Sequence, residues 1–154
     1  MYRIVKPSAL AAVLALVWLS SMTVLSGAQR AAGTPSISPS IWNGIFTDAQ
    51  VDRGLAAYER SCAKCHQADL RGDQVSEAPP LVGEPFLEHW DGQPVKDLFD
   101  KIRTKMPADN PGSLSAARAL DIVAYLLKSN RFPSGTAELA VGGEALTRPI
   151  TAAR

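Results

Sequence analysis

The sequence predicts an all-α domain, and two observations carry that prediction. Apolar residues recur at helical spacing in three separate stretches, within residues 51–65, 95–102 and 114–128. Nowhere does a β-branched run alternate in the manner of a strand, and no internal repeat is visible.

The elements follow in chain order. Arg3 and Lys6 precede an apolar run from Ala9 to Leu25, and Ser26-Gly27-Ala28 offers small residues for cleavage. Residues 1–28 therefore read as a secretory signal peptide, with an uncleaved membrane anchor as the rival reading. Residues 29–44 hold Gly33, Pro35, Pro39, Gly44 and several serines, the composition of a flexible leader. The domain proper is expected over residues 45–133.

Its first helix starts with Thr47 as N-cap and Gln50 three positions on, a capping box, flanked by Phe46 and Val51 as a hydrophobic staple. Val51, Leu55, Tyr58, Cys62 and Cys65 then form one continuous stripe. Gly54 stands out inside it, since glycine costs about 1 kcal/mol relative to alanine in a helix interior. Residues 67–83, with Gly72, Pro79, Pro80 and Gly83, hold no regular element. Glu84 to Trp90 fits a short helix with Pro85 in its first turn. Pro94 opens a clearer one, whose apolar face is Val95, Leu98, Phe99 and Ile102. Met106-Pro107 stops it, because proline disfavours helix in its predecessor. The last helix runs from about Leu114 to Lys128 and is apolar nearly all round over Ile122 to Leu127, so it belongs deep in the core. Asn130 and Pro133 close it. Residues 134–154 form a tail whose Leu139, Val141, Leu146 and Ile150 are suited to packing on the domain or on a partner.

Charge excludes some functions. Two of the 16 Lys and Arg residues and none of the 15 acidic ones fall in residues 1–28, which leaves a near-neutral chain of single-domain length. That balance gives no basis for nucleic-acid binding, and membrane association rests only on an uncleaved amino-terminal segment. A local cluster, Lys101, Arg103 and Lys105 with Lys96 and Lys64, reads either as a solvated helix face or as a docking patch for an acidic redox partner.

Chemistry is concentrated in Cys62-Ala63-Lys64-Cys65-His66. C-x-x-C-H is the pattern of covalent c-type haem attachment, in which two thiols add to the haem vinyl groups and the imidazole takes an axial position on iron. On a helix, positions 62, 65 and 66 project from one face. A thioredoxin-like pair, a zinc site and a local disulfide share the C-x-x-C core. The first lacks its βαβ context. Zinc lacks ligands, because these are the only two cysteines and His89 is the only other histidine. An exported chain suits haem attachment, which is completed outside the cytoplasm, and points to the periplasm.

The order of motifs resembles class I cytochromes c, especially small bacterial single-haem modules. The resemblance spans about Phe46 to Pro133. It rests on the motif at 62–66, Pro79-x-Leu81-x-Gly83, Met106 before a final helix, and Leu114 followed by Asp121-Ile-Val-Ala-Tyr125. It implies a small helical domain wrapped around one haem c, bound through Cys62 and Cys65. Gly54 and Tyr125 fit the close crossing of first and last helices. His66 and Met106 become the axial ligands, with His89 the competitor for the second place. The carbonyl of Pro79 would orient His66, with Pro80 the adjoining alternative, and Leu81 would pack on the haem. Trp90 either bonds a haem propionate or fills core. With both axial places taken, the expected function is one-electron transfer rather than catalysis, so no catalytic residue is nominated. Expected partners are redox proteins: a dehydrogenase, an oxidase or a respiratory complex. The alternatives are a cytochrome subunit of a periplasmic dehydrogenase and a ligand-binding haem sensor or enzyme.

Overall fold

The computed structural model describes residues 40–152; the expected signal segment and residues 29–39 of the leader lie outside the described residues. Regular structure is helical: α1 (Asp48–Ser61), α2 (Ala63–His66), α3 (Glu84–Trp90), α4 (Val95–Lys105) and α5 (Ala116–Ser129), with 3-10 turns at Ile41–Asn43 and Glu144–Thr147. Among the described residues the only β-pairings are two isolated bridges, Asp73 with Ala78 and Pro94 with Pro149. None of the described helices is long and apolar enough to cross a membrane.

The dominant packing is α1 against α5. It is permitted by a missing side chain. A Cβ on Gly54 would lie 2.0 Å from the carbonyl oxygen of Asp121 and 2.8 Å from the Cβ of Tyr125. The two backbones touch at that point, so glycine's propensity cost is offset by close helix contact. Arg53 secures the crossing from outside, donating to Asp121 at 2.9 Å and to Glu138 at 3.0 Å. From the crossing onward α5 buries Ile122, Val123, Ala124, Leu126 and Leu127, in line with its nearly all-round apolar sequence.

The crossing also decides which side of α1 faces the core. Gln50, Gly54, Ala57 and Tyr58 are buried, whereas Leu55 is 39 % exposed and Val51 and Cys62 are half-buried. The apolar stripe read from the sequence thus lies beside the buried face. Tyr58 belongs to both. Beyond α1, α4 buries Val95, Leu98, Phe99 and Ile102, the face its spacing predicts, and ends at Lys105 with Met106 extended as its C-cap.

Gln50 departs from the capping-box expectation. Thr47 does accept from the Gln50 backbone N–H at 3.2 Å. The Gln50 side chain, however, turns inward instead of back toward Thr47. It donates to the Leu139 carbonyl at 3.0 Å and accepts the Leu139 N–H at 2.7 Å. A buried amide satisfying both polar groups of a buried residue fastens the tail to α1. Gln50→Ala strands those two groups, each costing about 1–3 kcal/mol. We expect the variant to lose about 2 kcal/mol or more in denaturant unfolding of the haem-loaded protein, and a loss below 0.5 kcal/mol would refute the tie.

The tail belts its own domain. Leu139, Leu146 and Ile150 are buried, while Val141 is exposed. Past the 3-10 turn, Val95 donates to the Arg148 carbonyl at 3.0 Å, Ile150 to that of Gln93 at 2.8 Å, and Gly92 to that of Ile150 at 2.8 Å. The end of the expected leader is likewise built in rather than loose. Ser40 caps the first 3-10 turn, Ile41 is buried, and Trp42 stacks on Phe132 with centroids 4.7 Å apart. Trp42 Nε1 also donates to Thr151 at 3.0 Å, which joins the two ends of the described chain. Apolar Ile41 and Trp42 have core to fill, and that overrides the glycine-and-proline composition around them.

Candidate functional site

At Cys62 the helix breaks. This residue closes α1 with φ −126° and ψ −35°, and the chain restarts as the single turn α2. The expected uninterrupted helix through the motif is therefore corrected to a helix, a kink and one further turn. Spacing within the motif survives, because Cys65 and His66 donate their backbone N–H groups to the Cys62 carbonyl at 3.1 and 3.0 Å. Cys62, Cys65 and His66 remain on one turn. Gln67 then leaves it with φ 62°, and the Tyr58 hydroxyl donates to its carbonyl at 2.7 Å. That bond fixes the exit of the turn to the core face of α1.

No disulfide joins Cys62 and Cys65. Burial, aided by neighbouring Cys65, pushes the Cys62 thiol up to about 11. A dithiol built for exchange needs the opposite shift, toward thiolate at neutral pH. Among the described residues no group of three or more His, Cys, Asp or Glu side chains could hold a metal ion, so a zinc centre finds no ligand set.

His66 is half-buried, with Nδ1 2.9 Å from the carbonyl oxygen of Pro79. A carbonyl only accepts, so Nδ1 carries the proton and Nε2 keeps its lone pair. The imidazole is thereby set up as an Nε2 ligand with fixed ring orientation. Pro79 stands in an irregular loop. Asp73 and Ala78 exchange backbone bonds of 3.0 Å on one side of it, and Leu81 donates to Leu70 at 2.7 Å on the other. Gly72 touches the same loop, where a Cβ would come within 2.2 Å of the Ala78 carbonyl oxygen.

Two cysteine side chains on one turn and an oriented Nε2 donor are a donor set that fits a haem joined through two thioethers and one imidazole. Met106 lies half-buried just after α4. Its loop meets the motif turn where Lys64 approaches Asp109 at 3.7 Å, an exposed pair that matters here for position rather than energy. Leu81 is half-buried against the core. Trp90 is 8 % exposed, inside the core, 6.4 Å from Phe86 and edge-on to His89 at 5.0 Å. His89 itself points outward at the surface. A separate cavity of about 1190 Å³, lined by Trp42, Leu87, Glu84, Glu88 and Asp91, offers carboxylates and none of the sulfur or imidazole donors.

Sequence reasoning passed over one residue of this neighbourhood. Asn130 was assigned to helix termination, yet its side chain is buried and bonded to the loop that carries Pro79 and Leu81. The available signal was an amide immediately after a strongly apolar helix.

The sequence matches the family model described as cytochrome c oxidase, cbb3-type, subunit III over residues 49–126. Among solved structures, the sulfane dehydrogenase SoxCD from Paracoccus pantotrophus is similar at 23% identity and a TM-score of 0.44. That match covers 60% of this chain and 53% of the other, so the chain spans about half the length of the solved chain. No curated protein matches the sequence.

Proposed function

The chain belongs to the c-type cytochrome family whose model it matches, and from that premise we propose that it transfers single electrons on one haem c held by Cys62, Cys65, His66 and Met106. The observation that carries this reading is the bond from His66 Nδ1 to Pro79. It leaves Nε2 as the ligand atom, one residue from a cysteine in a C-x-x-C-H motif. When bound, haem c supplies a one-electron couple. The protein's residues would hold and tune it: Cys62 and Cys65 would fix it covalently, His66 would donate nitrogen and Met106 sulfur. A thioether paired with an imidazole would favour a high potential relative to stronger donors. Leu81 would supply apolar cover, and Trp90 fills core beside Phe86.

With two protein ligands the natural role is a carrier, exchanging electrons with protein redox partners in the periplasm through a small, transient interface. The exposed side chains of Lys64, Lys101 and Lys105 are available for such contacts with an acidic partner.

Met106 is the decisive test. Met106→Ala should retain covalent haem, lose the weak far-red ferric band of a methionine-to-iron bond, and show a lower potential. A ferric spectrum identical to that of the unaltered protein would overturn this ligation.

A further inference from the structure

We propose that Asn130 is a positioning residue for His66, acting through the loop that carries Pro79; this rests on His66 being the axial ligand. Pro79 and Pro80 are adjacent and neither has a backbone N–H. The acceptor that orients His66 thus lies in a stretch unable to anchor itself by donating. Its position comes from the flanks. On the amino side the anchor is the Asp73–Ala78 bridge. On the carboxyl side the Leu81 N–H donates to the Leu70 carbonyl at 2.7 Å, and Asn130 holds the next two peptide groups. Its Nδ2 donates to the Leu81 carbonyl at 3.0 Å, and its Oδ1 accepts the Gly83 N–H at 2.9 Å. One amide grips the loop on both sides of Val82.

Asn130 is itself firmly held. It is 6 % exposed and caps α5, its backbone N–H bonding to the Leu126 and Leu127 carbonyls at 3.1 Å. A second proton on Nδ2 goes to the Leu126 carbonyl at 2.8 Å. The end of α5, which the α1 crossing already fixes, is thus connected through one side chain to Leu81, the adjoining prolines and the Nδ1 partner of His66. Gly83 is suited to its part because its φ of 81° is open to glycine.

Releasing the loop should weaken the His66–Pro79 bond. An imidazole donating less firmly to a carbonyl is a poorer electron donor, so the ferric state loses stabilisation and the potential rises. A purely structural role would lower stability without that signature. The haem-loaded proteins Asn130→Ala and Asn130→Leu are compared with Gln50→Ala, which weakens the tie between α1 and the tail instead of the loop. Asn130→Leu keeps a similar volume and adds no charge while removing the side chain's polar groups, and serves should the alanine variant fail to accumulate.

Both Asn130 variants should keep covalent haem and show a potential raised by about 59 mV, the equivalent of a tenfold change in a one-electron equilibrium. Gln50→Ala should unfold more easily at an unchanged potential. Asn130 variants with the potential of Gln50→Ala would overturn the proposal. The underlying ligation has its own control, His66→Ala. If that variant keeps the normal low-spin spectrum, the axial role of His66 fails and the Asn130 proposal with it. If it loses the spectrum while the Asn130 variants keep the original potential, the Asn130 role alone is refuted.

Discussion

Gly54→Ala is expected to destabilise the protein by about 2 kcal/mol or more, although local propensity argues the reverse. Alanine is the best helix former, and replacing an interior glycine of an isolated helix gains about 1 kcal/mol. Here the new methyl would stand 2.0 Å from the Asp121 carbonyl oxygen and 2.6 Å from its carbon. Both are backbone atoms of α5, so no side-chain rotation relieves the clash. The helices must separate instead, loosening a core that includes Tyr58, Ile122 and Val123. Overpacking at a well-packed contact costs about 1–3 kcal/mol or more, and backbone against backbone belongs at the upper end. The steric term therefore exceeds the propensity gain. Denaturant unfolding of haem-loaded protein gives the sign directly. A neutral or stabilising substitution would show that the crossing is not a close contact.

Replacing both motif cysteines, Cys62→Ser together with Cys65→Ser, should abolish covalent haem. The thioether needs sulfur, and serine hydroxyls do not replace it. After denaturation and organic extraction, the haem should leave the double variant completely and remain with the unaltered chain. Each single variant should keep one thioether and a partial yield. Because the other thiol and His66 remain on the same turn, one missing sulfur does not remove the site. Haem retained through denaturation by the double variant would refute attachment at this motif.

Most of the helical framework was legible in the sequence. Over residues 95–102 the apolar spacing alone identified the buried face of α4, and Met106-Pro107 marked its end. For α5 the apolar run Ile122 to Leu127 announced deep burial. The motif at 62–66 identified the chemistry because sulfur, sulfur and imidazole at fixed local spacing need no tertiary contact to be recognised. Gln50 was misjudged for the converse reason. Its spacing from Thr47 is that of a capping box, but a buried backbone at Leu139, 89 positions away, offers it two hydrogen bonds. No local pattern records such a partner.

The sequence by itself determined an all-α domain and a C-x-x-C-H motif, and its resemblance to class I cytochromes c implied Gly54 and Tyr125 as the place where first and last helices meet. The helices and the motif depend on short-range spacing and residue chemistry, which the chain carries in any conformation. Only the tertiary structure decided that α1 breaks at Cys62, that its buried face runs through Gln50, Gly54 and Ala57, that residues 139–151 belt their own domain, and that Asn130 reaches the Pro79 loop. The last three of these join groups distant in sequence, and two physical rules account for them. Buried polar groups must find partners, and helices pack as closely as their smallest side chain permits.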